Sequence, residues 1–136
     1  MQGASLRFVL LALMALAPWL HADQRLLLKF PWGFTAGDTV FAAGEYVFSI
    51  SMNTTQDVVI QSSDRKQTGR IHVVPLRTVD KPKQGKLVFH RYEDRYFLEE
   101  IWMAGDRIAR QATKGAAEQK LLQDGAKPEV VNVNLR

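Results

Sequence analysis

The sequence predicts an all-β protein: a small antiparallel β-sandwich or barrel of about seven to eight strands, with one C-terminal helix before a last strand. Three observations predict it. Apolar and polar residues alternate with period two in a series of short runs between residues 26 and 103, the spacing that sends successive strand side chains to opposite faces. Turn sequences containing Gly, Pro, Asn and Asp separate the runs. After residue 22, only residues 114–124 (KGAAEQKLLQD) are rich in strong helix formers.

Residues 1–22 have the three parts of a secretory signal peptide. A short start carries Arg7, and residues 8–16 (FVLLALMAL) form an uninterrupted apolar run. A membrane span needs about 20 such residues, so this run is too short. Ala15-Leu16-Ala17 offers a small-x-small cleavage pattern, but Pro18 would follow the cut. Cleavage after Ala22 in Leu20-His21-Ala22 leaves Asp23 in the next position without hindrance. The expected mature protein is residues 23–136, a single β-rich domain, exported to the periplasm or cell exterior. The competing account of residues 1–22 is a buried N-terminal helix, which would lack a capping residue.

The chain contains no cysteine. An oxidising compartment is therefore permitted but unused, and packing alone must hold the fold. The net charge is +4, and Arg7 is the only charged side chain before the predicted cut. Basic and acidic residues intermix, as in Asp64-Arg65-Lys66 and Glu93-Asp94-Arg95. Lys81, Lys83 and Lys86 flank Pro82 and Gly85 and read as a solvated loop. Nothing here resembles a nucleic-acid footprint.

The elements follow in order. Leu26, Leu28 and Phe30 alternate with Leu27 and Lys29, until Pro31-Trp32-Gly33-Phe34 breaks the run and Ala36-Gly37-Asp38 turns the chain. A short strand over residues 39–41 meets a tight turn at Ala42-Ala43-Gly44-Glu45. Tyr46, Phe48, Ile50 and Met52 then share one strand face. Residues 53–56 form a polar loop, residues 57–62 a β-branched strand, and residues 63–66 a turn. Residues 69–79 read as a strand in which Pro75 demands an edge or a bulge.

The strongest local signal is a hairpin over residues 85–103, turning at Glu93-Asp94 with Tyr92 opposite Arg95. Regular alternation puts Leu87, Phe89, Tyr96, Leu98 and Trp102 on one face, and Val88, His90, Phe97 and Ile101 on the other. The helix over residues 114–124 has Thr113 as the expected N-cap and Gly125 at its C-terminal cap. Pro128 ends it, and residues 130–135 form a last strand, expected beside the first. A transmembrane barrel is disfavoured by short strands such as residues 57–62 and by the terminal Arg136.

Two segments carry a resemblance. Phe30-Pro31-Trp32-Gly33-Phe34 with Ala42-Ala43-Gly44-Glu45-Tyr46 resembles the pattern PF-x-F…PAGEY. Residues 87–102 resemble LVFHRYxDxYFLxxIW. Both patterns occur in a family of short exported proteins of acidobacterial type. The chain departs from the family in its Trp32-Gly33, in Ala42 where proline is common, and in the loosely matching residues 107–119. The resemblance implies export and a compact β domain. It brings no catalytic residues, because the family has no established activity.

For chemistry, His72 and His90 are the histidines left after the predicted cleavage. No cysteine cluster or i, i+4 histidine pair accompanies them, so the sequence reading assigns no metal and no cofactor. His90 falls near Glu99 or Arg95 on one hairpin face, the setting of an ordinary sheet histidine or a pH-sensitive contact. Glu99 and Glu100, adjacent in a regular strand, would point apart and could not form an acid–base pair. No nucleophile elbow, phosphate loop or zinc-protease motif occurs, so no catalytic residue is assigned.

The rings of Trp32, Phe34, Tyr46, Phe48, Phe89, Tyr92, Tyr96, Phe97 and Trp102 read first as core. A subset, Trp32, Phe34, Tyr92, Phe97 and Trp102 with His90, is the expected ligand or partner surface. The function expected from all this is a non-enzymatic, envelope-associated interaction module with a protein partner. A carrier for a lipid or other apolar small molecule is the alternative, requiring an aromatic-lined void.

Overall fold

The computed structural model describes residues 23–51, 57–77 and 80–135. The predicted signal peptide and its cleavage site, the loop at 53–56 and the far end of the strand read over 69–79 lie outside the described residues. Ten strands and one helix follow in order: β1 (Asp23–Phe30), β2 (Phe34–Ala36), β3 (Thr39–Phe41), β4 (Gly44–Ser51), β5 (Asp57–Ser62), β6 (Thr68–Arg77), β7 (Lys86–Tyr92), β8 (Arg95–Trp102), β9 (Ile108–Ala112), α1 (Ala116–Gln123) and β10 (Glu129–Asn134). The fold is all-β, with the helix before a last strand as expected. No helix among the described residues is long and apolar enough to cross a membrane.

The strands make one sheet, ordered β1-β4-β5-β6-β9-β8-β2-β3, with β7 also on β8 and β10 on β7. All pairs are antiparallel except β2 with β8, which meet in parallel at Thr35 and Phe97. Long β6 is the fold line. Its residues 68–72 pair with β5, and its residues 73–77 pair with β9. Pro75 lies in the second half, where pairing among the described residues is on one side only, so the missing N–H is tolerated. The edge expected from Pro75 is thus a local one.

Folding over at β6 brings two inner faces together. Phe30, Tyr46, Phe48 and Ile60 from one layer meet Phe34, Phe89, Leu98 and Ile101 from the other in one apolar cluster. Phe30 lies 4.8 Å from Phe34 and 5.8 Å from Phe89, ring centre to ring centre, and Phe34 makes an edge contact with Tyr46 at 5.6 Å. These rings fill the space between the layers, the place where a carrier would need a void. Buried Arg110, from β9, donates to the Ser51 carbonyl at 3.1 Å and to Asp106 at 3.4 Å. It thereby ties β9 to the end of β4.

Two strands exceed the expected count: β2, and β9 with the sequence IARQA. Alanine is depleted in strands and the run has few β-branched or aromatic residues, and β9 forms because β6 and β8 both pair with it. The last strand, expected beside β1, pairs with β7 instead, Val131 opposite Phe89.

The hairpin β7–β8 has the expected Tyr92–Arg95 register at its turn, but Phe89 pairs with Leu98 while Val88 pairs with Glu100. Glu99 is therefore the extra residue of a β-bulge. Beyond it the alternation slips by one. Ile101, expected on the outer face, sits opposite Leu87 in the core, and Trp102, expected on the core face, pairs with Lys86 and is half-buried.

Helix α1 has a tight docking point. Its N-cap is Gly115, not Thr113, and no side chain of its own caps it. Asp38, from the turn after β2, accepts from the Ala116 N–H at 2.9 Å and does the work of an N-cap side chain from 78 residues away. A Cβ on Gly115 would lie 2.2 Å from the Gly37 carbonyl oxygen, so glycine is what permits the approach. At the other end Gly125 takes φ +87°, as expected of a glycine cap. Its N–H reaches the Leu122 carbonyl and that of Ala126 reaches Leu121, the pairing of a Schellman motif. Gly115→Ala is expected to destabilise the protein by about 1–3 kcal/mol through overpacking against backbone. Urea unfolding measures this, and an unchanged midpoint would contradict the docking geometry.

Candidate functional site

The bulge and the helix together build a polar cluster on the outer side of the hairpin. His90 and Tyr92 come from β7, Glu99 from the bulge in β8, Lys114 from the segment entering α1, and Glu118 from the helix. Glu99 and Glu118 are each 2% exposed. Tyr92 donates its hydroxyl to Glu118 Oε2 at 2.8 Å, and Lys114 Nζ donates to Glu99 Oε1 at 2.5 Å. His90 Nδ1 stands 3.6 Å from Glu99 Oε1 and 3.7 Å from Glu118 Oε2. Both separations exceed ordinary hydrogen-bond length. Glu99 Oε2 and His90 Nδ1 are buried without a hydrogen-bond partner.

Glu100 belongs to the same surroundings. Its charge acts on both His90 and Lys114, and its Oε1 accepts from Trp102 Nε1 at 2.7 Å. The two carboxylates expected on opposite faces are thus on the same side, because the bulge breaks the alternation between them.

Burial is the leading influence on these groups. It pushes the Glu99 carboxyl up to about 8, with the neighbouring Glu118 adding to the rise and Lys114 opposing it. Burial also lowers His90, against the attraction of Glu118, so its imidazole is neutral at pH 7. Tyr92 is raised by burial and by its bond to Glu118. For Lys114, burial pulls the value down, but the Glu99 carboxylate outweighs it and the net direction is up. One imidazole, three carboxyl groups, an ammonium and the Tyr92 phenol converge here; no serine, threonine or cysteine is among them.

The residues expected to form a ligand or partner surface divide. Phe34, Tyr92 and Phe97 are buried at 2%, 5% and 2% exposure, so they offer no free surface. Phe34 lies in the core; Tyr92 and Phe97 meet edge to face at 5.4 Å on the hairpin's outer side. Trp32 is partly exposed and stacks on Tyr96 with ring centres 3.8 Å apart. Trp102 is half-buried under the Lys86 ammonium, 5.0 Å from its ring. His90 and Tyr92 are the two that belong to the polar cluster, and His90 is the more exposed of them. Sequence reasoning passed over Lys114 and Glu118, which sit in an ordinary helical stretch. The one usable signal was Glu118 three residues after Gly115, a carboxylate in the first turn.

Comparison of the chain with family models, with curated proteins and with solved structures finds no match.

The raised Glu99 group makes stability depend on pH. The folded state keeps a proton, up to about 8, that an unfolded glutamate releases near 4.5. Its favourable contribution is full below 4.5 and is lost as pH rises through 8. Lowered His90 acts in the opposite sense, but only below its ordinary 6.5. Between pH 6.5 and 8 the protein should therefore lose stability at up to ~1.4 kcal/mol per pH unit. Glu99→Gln should flatten that slope. Chemical denaturation across the window measures it, and equal slopes in the two proteins would contradict the assignment.

Proposed function

We propose that this is an exported, non-enzymatic protein of the cell envelope that acts by contact, taking an extended segment of an envelope protein along its open strand edges. The observation that carries this reading is the gap in the sheet between its first and last strands. Among the described residues β1 pairs with β4 alone and β10 with β7 alone. Gln24 and Leu26 of β1 border one groove of about 170 Å³ with Gly85, Met103 and Leu135 at the end of β10. Unpaired edge strands offer N–H and C=O groups to an added strand, which supplies affinity, while flanking side chains supply selectivity.

Side chains along both edges suit such an addition. Leu27 is 64% and Val130 59% exposed, while Leu26, Leu28, Val131 and Val133 pack inward against the core. A segment with alternating apolar residues would find one apolar wall and one solvent-facing row. The signal-peptide pattern of residues 1–22 supports export, and the resemblance to short exported proteins agrees with it. The closed carboxylates at Glu99 and Glu118 favour contact over turnover, since they have little surface to offer a substrate.

Photo-crosslinking in the native host tests the proposal, with a benzophenone side chain at Gln24, at Asn132 or at Lys66 in the β5–β6 turn. One dominant envelope protein should be captured from Gln24 and Asn132 and not from Lys66. Equal capture from all three positions, or none from the two edges, would overturn it.

A further inference from the structure

We propose that His90, Glu99 and Glu118 form a binding site for one divalent transition-metal ion, Zn²⁺ foremost, that fastens helix α1 to the β7–β8 hairpin. The three residues each place a nitrogen or oxygen donor within 4.8 Å of the others. The separations of 3.6 and 3.7 Å from His90 Nδ1 to the two carboxylates are long for hydrogen bonds. They are close to the ~3.3 Å edge of a tetrahedron whose ligands sit about 2.0–2.1 Å from a zinc ion. One imidazole and two carboxylates are a donor set suited to a borderline divalent ion.

A second, independent observation points to a ligand at this spot. Glu99, 2% exposed, holds its Oε2 with no hydrogen-bond partner, and so does the Nδ1 of His90. Buried polar atoms are ordinarily paired, and an ion held by the imidazole and by both oxygens of Glu99 would satisfy both. The neighbours already act as supporting ligands should. Lys114 donates to Oε1 of Glu99 and Tyr92 to Oε2 of Glu118, the same two oxygens that stand nearest His90 Nδ1; such contacts orient metal ligands. Charge balances as well. Glu99, Glu118 and nearby Glu100 carry three negative charges when ionised against the single ammonium of Lys114, leaving a deficit of two that a divalent ion cancels.

A fourth position faces the side on which His90 and Lys114 are 24% and 31% exposed, where a water could complete the coordination. The other histidine among the described residues, His72, faces Asp57 at 3.5 Å, and both are exposed. It serves as the internal control.

Chelator-stripped protein titrated with Zn²⁺ by calorimetry, with thermal melts alongside, provides the test. One ion should bind per chain and raise the melting temperature, since an ion held only by the folded state stabilises it. His90→Gln and Glu99→Gln should each weaken binding by at least about tenfold, while His72→Gln leaves it unchanged. Should a variant fail to fold, imidazole NMR of the unaltered protein decides: Zn²⁺ should shift the ring signals of His90 and leave those of His72 in place. Absence of both heat and thermal shift at millimolar Zn²⁺, binding that survives both ligand substitutions, or ring shifts confined to His72 would overturn the proposal.

Discussion

Strand β8 carries one more residue than β7 across from it, and that single residue, Glu99, organises the rest of the molecule. On its N-terminal side Leu98 points into the core opposite Phe89; on its far side Ile101 does so opposite Leu87. Ile101 follows Leu98 by three positions, an odd spacing, so an unbroken strand would send one of them outward. The bulge lets both enter the core and leaves Glu99 on the outer face, where it is nonetheless buried. A charge-bearing group in that position is costly unless partners surround it. Helix α1 supplies them. Lys114 at its entrance and Glu118 in its first turn close over Glu99, and Tyr92 ties Glu118 to the hairpin.

The helix itself has little to hold it. Eight residues are too few for stability in isolation, and its one buried side chain is Glu118. Docking is therefore polar, through Asp38 and the Gly37 turn at one end and the His90–Glu99–Glu118 cluster along the side. Polar docking of this kind is strong when every group is satisfied and weak when one is not. That makes the cluster the place where pH or a bound ion can change the hold of α1, while the aromatic core between the layers stays fixed.

Much of the frame is legible in the sequence because it is written locally. The Glu93-Asp94 turn, the Tyr92–Arg95 register, the Gly125 cap and the strand after Pro128 all follow from short-range patterns. What escapes is whatever depends on pairing. β9 is a strand by virtue of two neighbours and against its composition, and β10 chooses β7 over β1 for reasons no local pattern carries. The bulge hides for a related reason: two adjacent glutamates look the same whether a strand is regular or slipped. With the bulge unseen, Glu99 and Glu100 seem to point apart, and Glu118, distant in sequence, has no reason to be grouped with His90. The aromatic residues show the converse error. A subset of them was expected to form a surface, but Phe34, Tyr92 and Phe97 are buried.

The central claim is that α1 is held to the hairpin through the buried bond from Tyr92 to Glu118. A double-mutant cycle on Tyr92→Phe and Glu118→Gln, read as unfolding free energies at pH 7, tests it most directly. Each change is nearly isosteric, so the coupling isolates the bond. A charge-assisted, buried hydrogen bond predicts a coupling of about 1.5–3 kcal/mol. Effects that add to within ~0.3 kcal/mol would mean the two residues do not interact, and the helix would have to be held by something else.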